Sequence, residues 1–291
     1  ALDFLMQYDH MEFVEAIESL ANLMGVEVPR EESDQRPARS YDALFDLLAK
    51  VARHFESELK SNQQAVDYLK ARGIDGATAK RFGLGYAPAG WSNVLDKFGT
   101  SREAIDRLLA CGLIIRKDDG KHYDRFRDRV MFPVIDNWGH PLAFGGRVLP
   151  GDDGPKYINS SETRYYTKGK NLFGLHAAKK GLQQAEYGLL VEGNFDVIAL
   201  HAAGLKMVVA PMGTAFTDTQ ARLLKRYVAR AIIAFDGDSA GEEATVKALP
   251  ALEKAGIEKA EAVLITMPDH EAMMRAVSVV RQRLAPRRKS E

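Results

Sequence analysis

The sequence predicts an α/β protein, with a mixed α+β region first, then a doubly wound, mostly parallel sheet and a short C-terminal helix. Two apolar runs, Gly188–Val191 and Ala231–Phe235, each stop at acidic residues and are each followed by a helical pattern. Strands buried on both faces of a parallel sheet read as continuous apolar runs, and Val197–Ala203 between them has helical spacing. The chain therefore carries a strand, acid, helix unit twice.

The composition is that of a globular protein, with 291 residues of which 46% are hydrophobic and 27% charged. Two or three subdomains are expected at this length. Cys111 is the only cysteine, so neither a disulfide nor a cysteine-ligated zinc site can form within the chain, and a cytoplasmic setting is expected. No apolar run is long enough to cross a bilayer, so no membrane partner is expected.

Helical periodicity accounts for most of the N-terminal part. A first amphipathic helix is predicted between Phe4 and Met24, and the charged stretch Glu27–Ser40 reads as a linker. The pattern from Tyr41 to Arg72 gives two helices separated near Ser61–Asn62. A further helix is predicted over Ser101–Gly112, with a serine cap and a glycine stop.

A β-hairpin is predicted next. Val130–Ile135 and Pro141–Phe144 read as its strands, and Asp136–Gly139 reads as its turn. Three further elements are expected after the second acidic motif: a helix over Glu242–Ala255, a strand over Ala260–Met267 and a terminal helix over Glu271–Leu284.

Positive charge is concentrated between Lys121 and Lys180, where the chain has eleven basic and six acidic residues. Six of these basic side chains are suited to phosphate contact: Arg125, Arg127, Arg129, Arg147, Lys156 and Lys168. The first three alternate, so an extended chain would place them on one face. The fourth follows a glycine pair that is expected to leave the backbone accessible. The alternative is a solvated surface on which Asp124 and Asp128 pair with the arginines.

Four acidic side chains are predicted to meet at the carboxyl ends of the two strands. Glu192 and Asp236 stand directly at those ends, where ligands of doubly wound sheets bind. Asp196 follows one helical turn later, and Asp238 lies on the turn that Gly237 allows. Converging carboxylates repel one another unless cations neutralise them, and oxygen ligands suit Mg²⁺ or Mn²⁺. The alternative is that these acids only cap helices.

The acidic motifs EGNFD and DGDSAG resemble the Glu and Asp-x-Asp signatures of the TOPRIM fold. The form FDGDSAG, with MGTAFT before it, is similar to the version in bacterial replicative DNA primases. FRDRVMFPV, FGGRV, PKYINS and TKGKNLFG resemble text of the same family in the same order. This resemblance implies an enzyme that makes short RNA on single-stranded DNA.

The resemblance also implies roles for individual residues. The catalytic set would be Glu192, Asp236 and Asp238, with Asp196 as a supporting ligand of Mg²⁺ or Mn²⁺. Template and nucleotide would lie along a basic groove formed by Arg125, Arg127, Arg129, Arg147, Lys156, Asn159 and Lys168. The family's further acidic pair, in a Gly-x-Asp-Pro-Asp stretch, does not follow Asp269 in this sequence.

Four regions are expected along the chain. Residues 1–38 would be a helix and linker that follow an absent zinc-binding domain, the only place for Zn²⁺. Residues 39–180 would form the mixed subdomain with the basic groove, residues 181–270 the TOPRIM domain, and residues 271–291 the start of a truncated helical region.

The implied partners are single-stranded DNA, ribonucleoside triphosphates, the RNA–DNA hybrid product and, through an absent C-terminal domain, the replicative helicase. Guanosine tetraphosphate is a further implied ligand of the groove, and a monomer is the default. Two other functions stay open from the residues alone. One is a TOPRIM nuclease, and the other is a nucleotide or nucleic-acid binding module without catalysis.

Overall fold

A computed structural model describes residues 38–262, apart from 152, 153, 186, 214 and 258, together with Ile17, Leu20, Ala21 and Met24. The chain divides into the unit Ala1–Ala43 and the unit Leu44–Glu291. In the first unit, the four isolated residues are helical, at the spacing that the sequence predicts. Most of the predicted linker, the predicted terminal helix and Asp269 lie outside the described residues.

The described helices and strands follow the chain in this order. The helices are α1 (Ala38–Ser61), α2 (Gln63–Ala71), α3 (Gly76–Arg81), α4 (Asn93–Phe98), α5 (Arg102–Ala110), α6 (Leu175–Ala185), α7 (Asn194–Ala202), α8 (Asp218–Lys225) and α9 (Ser239–Lys254). The strands are β1 (Gly85–Ala87), β2 (Ile114–Arg116), β3 (His122–Asp124), β4 (Arg129–Ile135), β5 (Pro141–Val148), β6 (Tyr157–Asn159), β7 (Tyr187–Val191), β8 (Val208–Val209), β9 (Arg230–Ala234) and β10 (Lys259–Ala262). A 3₁₀ turn covers Lys168–Lys170.

Side-chain caps fix the helix boundaries that the sequence predicts. The break after Ser61 is confirmed, because the Asn62 side chain accepts a hydrogen bond from the Ala65 backbone and starts α2. Ser101 caps α5 in the same way through Ala104. Gly112 follows α5 with a φ of +65°, the left-handed conformation that ends helices.

The first sheet is antiparallel, with the strand order β1-β4-β5-β6. It contains the predicted hairpin, in which β4 pairs with β5 from Arg129 opposite Val148 to Ile135 opposite Pro141. The turn is closed by Asp136, whose carboxylate accepts hydrogen bonds from the backbone of Trp138 and His140. The hairpin prediction is confirmed.

The glycine pair in β5 makes room for side chains and does not leave an accessible backbone, so that expectation was wrong. A Cβ on Gly145 would stand 2.0 Å from the ring of Phe132, and one on Gly146 would stand 3.2 Å from the Cδ of Arg129. Both glycines are buried. Their small size lets β4 side chains pack across the hairpin.

The second sheet is parallel, with the strand order β10-β9-β7-β8. From β7 the chain moves to β8 on one side and then to β9 on the other. The strand order therefore reverses between β7 and β9, which makes their carboxyl ends the topological switch point where α/β sheets bind ligands. The described part of the predicted third strand pairs with β9 as β10.

The expectation of an extended run from Arg125 to Arg129 is wrong. Asp128 has a φ of +48°, in the left-handed region, and β4 begins only at Arg129. The conformation is held by a hydrogen bond of 2.6 Å from the Tyr86 hydroxyl to the Asp128 carboxylate. The bend sends the three arginines to different neighbours. Among the described residues, no helix is long and apolar enough to span a membrane.

Candidate active site

The four predicted acidic residues come together at the switch point. Glu192 directly follows β7, and Asp236 comes two residues after β9. One Glu192 oxygen accepts a hydrogen bond of 3.1 Å from the Asp236 backbone, which ties the two strand ends together. Asp196 and Asp238 stand at the starts of α7 and α9, the helices that follow these strands.

Two of the carboxylates also cap helices, as the structural alternative predicts. Asp196 Oδ2 accepts from the Gly193 backbone at 3.0 Å, and Asp238 Oδ1 accepts from the Gly241 backbone at 2.8 Å. Each carboxylate keeps a second oxygen. Capping therefore orients these side chains without using up their capacity to bind a cation.

Burial and mutual repulsion raise the pKa values at this cluster. Burial, and then the charges of Asp236 and Glu192, raises the pKa of Asp196 to about 6, against the opposing effects of the Gly193 hydrogen bond and the Arg72 charge. The pKa of Glu192 is raised chiefly by burial and further by Asp236 and Asp238. Burial and Asp238 likewise raise the pKa of Asp236. A bound cation would reduce the electrostatic repulsion among these carboxylates.

Carboxylate oxygens are suitable ligands for a hard divalent cation, but the acidic side chains of this cluster do not surround an ion completely. Among the described residues, no three His, Cys, Asp or Glu side chains are placed to hold one ion. The Asp236 carboxylate is acted on by the charges of both Asp238 and Lys156. Magnesium is ordinarily held by one or two carboxylates together with water and substrate phosphates, so a partial cage is compatible with it.

A cationic side chain next to the antiparallel sheet acts electrostatically on this acidic cluster. Lys156, which is exposed and immediately precedes β6, acts electrostatically on Asp236 and lowers its pKa against the other influences. The hairpin extension that carries Lys156 is paired to β5, because Val148 donates a backbone hydrogen bond to the Lys156 carbonyl. Lys156 therefore links the basic segment electrostatically to the acidic cluster.

Beside Asp196, arginine side chains pack against aromatic rings and form a second cluster of positive charge. The guanidinium of Arg147 lies 4.9 Å from the Tyr157 ring centre and 5.2 Å from that of Phe195, and it hydrogen bonds to the Tyr157 hydroxyl. The guanidinium of Arg72 lies 5.8 Å from the Phe195 ring centre. Cation–π contact fixes these planar groups without neutralising them.

Arg127 belongs to a separate aromatic group. Its guanidinium lies 4.3 Å from the ring centre of Trp91 and 5.3 Å from that of Tyr123. Lys117 lies over the same two rings. Trp91 is 61% exposed, so this is an open platform of rings and cations of the kind that suits a single-stranded nucleic acid.

The side chains of Arg125 and Arg129 hydrogen bond to backbone carbonyl groups. Arg125 donates two hydrogen bonds, of 3.1 and 2.8 Å, to the Asn159 carbonyl. Arg129 is 6% exposed and donates to the Pro155 carbonyl at 2.7 Å, so it does not line an open groove. The predicted pairing of Asp124 with an arginine side chain is replaced by capping, since its carboxylate accepts from the Val94 and Leu95 backbone at the start of α4.

Sequence reasoning missed Arg72 and Trp91. Both lie in the stretch from Ala71 to Trp91, whose glycine turns and aromatics read as packing. The signal that could have found Trp91 is its place in a glycine- and proline-rich turn, where a large ring has no strand or helix to bury it. Arg72 carries no local signal, because only the tertiary fold brings it to Asp196.

The fold and the acidic cluster define a Toprim-like protein. Residues 189–274 match the family described as Toprim-like, and residues 54–179 match the family described as the DNA primase catalytic core, N-terminal domain.

Relatives and solved structures give the same result. The DNA primase of Pseudomonas putida is 45% identical over 256 residues, which cover 86% of this chain and 39% of that protein. A crystal structure of a DNA primase domain from Pseudomonas aeruginosa has a TM-score of 0.76 and 40% identity, with 84% of this chain and 78% of that chain covered. A DnaG primase catalytic domain bound to single-stranded DNA has a TM-score of 0.76 and 35% identity, with 85% and 82% covered.

The chain belongs to the bacterial DNA primase family, as a catalytic core that contains the Toprim-like domain. It spans about two fifths of the length of the curated relatives it matches.

Proposed function

We propose that this chain is a DNA-directed RNA polymerase that synthesises short RNA primers on single-stranded DNA from ribonucleoside triphosphates by two-metal nucleotidyl transfer. One observation carries the proposal: the carboxylates at the switch point have basic side chains nearby, because the Arg147 guanidinium lies 5.2 Å from the ring centre of Phe195, the residue before Asp196, and the charge of Lys156 acts on Asp236. Charge of both signs at one place suits a reaction between a metal-bound nucleotide and a polyanionic template. Similarity to a primase domain bound to single-stranded DNA supports it.

The acidic residues would hold Mg²⁺ or Mn²⁺, with Glu192, Asp236 and Asp238 as ligands and Asp196 in support. Bound ions supply activation of the primer hydroxyl and neutralisation of the leaving pyrophosphate. The chain's own contribution is orientation. The Gly193 and Gly241 backbone groups fix two of the carboxylates before substrate arrives.

The basic residues would hold the template and the nucleotide. Exposed or half-buried cations, Arg127, Arg147, Lys156 and Lys168, would contact phosphates, with Arg72 added to this set. Asn159 would orient a nucleotide, while Arg125 and Arg129 hold the surrounding backbone in place. Contacts of this kind position a nucleic acid without reading its sequence, and they weaken with salt.

The wider setting is proposed by analogy with primases. The RNA–DNA hybrid would leave along the same surface, and guanosine tetraphosphate would compete there for nucleotide. We place Zn²⁺ and the replicative helicase on segments outside this chain, and we expect a monomer in the cytoplasm.

The test is the charge-removing substitution Asp236→Asn. We expect RNA synthesis to fall by at least about 100-fold, because the substitution removes a preorganised negative charge, while binding of single-stranded DNA stays within about twofold. Asp218→Asn is the matched control, because Asp218 of α8 forms its ion pair with Lys254 of α9. Equal loss of synthesis and binding in Asp236→Asn would contradict the proposal.

A further inference from the structure

Helix α8 begins with a capping box whose two side chains do more than cap. Thr217 Oγ1 accepts a hydrogen bond of 3.1 Å from the Gln220 backbone, and Gln220 Oε1 accepts one of 3.0 Å from the Thr217 backbone. This reciprocal pair would suffice to start the helix. Such pairs ordinarily lie at a solvated helix end, but Gln220 is fully buried.

The same two side chains bind the 3₁₀ turn that carries Lys168. Thr217 Oγ1 donates to the Gly169 carbonyl at 2.6 Å. Gln220 Nε2 donates to the Lys168 carbonyl at 3.1 Å and to the Asn171 carbonyl at 2.7 Å. Every hydrogen of the Gln220 amide is therefore used on a segment that lies about fifty residues earlier in the chain.

The turn is held on its other side as well. The Lys168 backbone N–H donates to Glu162 Oε1 at 3.1 Å, so both backbone groups of Lys168 are fixed. A Cβ on Gly169 would stand 3.2 Å from Thr217 Cγ2, which shows how closely the turn lies against the start of α8. Lys168 itself remains half-buried at the surface.

The connection before α8 also contacts a second residue of the basic surface. Gly213 has a φ of +71°, and a Cβ there would stand 3.0 Å from the Asn159 side-chain nitrogen. One connection of the parallel sheet, from β8 to α8, thus contacts both Asn159 and the Lys168 turn.

We propose that Gln220 is a positioning residue that acts through Lys168, holding the Lys168 turn against α8 so that its ammonium group meets the bound nucleic acid. The inference rests on the proposed function, since it assumes that Lys168 contacts that ligand. It assigns to Gln220 a role that capping alone does not explain, because a cap needs no donor aimed at Lys168 and Asn171.

The experiment is a double-substitution cycle on the whole chain. Gln220→Met keeps the side-chain length and removes the amide, and Lys168→Ala removes the cation. Affinity for a fluorescein-labelled single-stranded oligodeoxynucleotide is measured by anisotropy for both variants and for their combination. Ser101→Ala, which removes the cap of α5 away from the site, is the control for lowered stability.

We expect Gln220→Met to raise the dissociation constant by roughly threefold to tenfold, as Lys168→Ala does, and to add nothing in the Lys168→Ala background. The control should lower Tm without changing the dissociation constant. Additive losses would overturn the inference, because Gln220 would then act independently of Lys168. Unchanged affinity in Lys168→Ala would overturn both this inference and the role of Lys168, while the Asp236→Asn result would still report on catalysis.

Discussion

Gly241 determines whether the two acidic motifs can meet. A Cβ at this position would stand 2.1 Å from the Asp236 carbonyl oxygen and 2.6 Å from Glu192 Oε1. The backbone N–H of Gly241 also donates to Asp238. One residue without a side chain therefore allows α9 to start directly against both strand ends.

Gly241→Ala should lower the free energy of unfolding by about 1–3 kcal/mol, because a methyl group has no room between the carbonyl of Asp236 and the Glu192 carboxylate. RNA synthesis should fall further than stability alone explains. Gly76→Ala is the matched control, since a Cβ at the start of α3 meets nothing within 4 Å. Urea unfolding and a synthesis assay measure both effects. A Gly241→Ala variant as stable and active as the control would refute this account of the site.

The prediction that Arg125, Arg127 and Arg129 share one face was wrong, and it shows why the positions of single side chains are hard to predict. Alternating positions indicate one face only if the backbone is extended, and Asp128 is left-handed. An aspartate in that conformation costs energy unless its surroundings compensate, and here Tyr86 supplies a hydrogen bond across 42 residues of sequence. No pattern within the sequence FRDRV indicates that Tyr86 is the hydrogen-bond partner of Asp128.

The packing of α7 on β8 buries a histidine between two elements. His201 is fully buried, and its Nε2–H donates to the Val208 carbonyl at 3.2 Å. Among the described residues, its Nδ1 has no hydrogen-bond partner. Burial, with the charges of Lys206 and Arg81, lowers the pKa of His201 from 6.5 to about 4, against the effect of the Val208 hydrogen bond. Folding therefore favours the neutral ring.

This histidine should make stability depend on pH. Between pH 6.5 and 4 the unfolded chain binds a proton at His201 that the folded chain rejects, so stability present above pH 6.5 is lost as the pH falls. The loss from this group amounts to about 3 kcal/mol. His201→Gln keeps a donor for Val208 and does not titrate, so its unfolding free energy should fall less over this interval. Urea unfolding at several pH values compares the two, and identical slopes would contradict the prediction.

Elements with local signals were predictable, and those defined by pairing were not. The cap at Asn62, the hairpin around Asp136 and the strands β7 and β9 follow from turn residues, caps and apolar runs. Strand β8 has two residues, which is too short for periodicity, and it exists because it pairs with Leu189 and Leu190. Yet β8 creates the reversal of strand order that defines the site.

On the scale of the whole molecule, the formal net charge is zero, but charge is unevenly distributed at the candidate site. The chain has 40 acidic and 40 basic residues, while the switch-point acids meet at one sheet edge and the charge of Lys156, next to the other sheet, acts on Asp236. The sequence predicts each cluster from its own motif. Their adjacency was expected only from the resemblance to primases, because contacts between two sheets leave no local pattern in either segment.

The proposed polymerase activity is tested by measuring RNA synthesis by the purified chain on single-stranded DNA, with four labelled ribonucleoside triphosphates and Mg²⁺ or Mn²⁺. We expect short oligoribonucleotides that require the template and the divalent cation and that disappear in Asp236→Asn, because the switch-point carboxylates would hold the ions that nucleotidyl transfer uses. Template-bound protein that makes no RNA with either cation would contradict the account and favour a binding module. Cleavage of the DNA without nucleotides would instead indicate a nuclease.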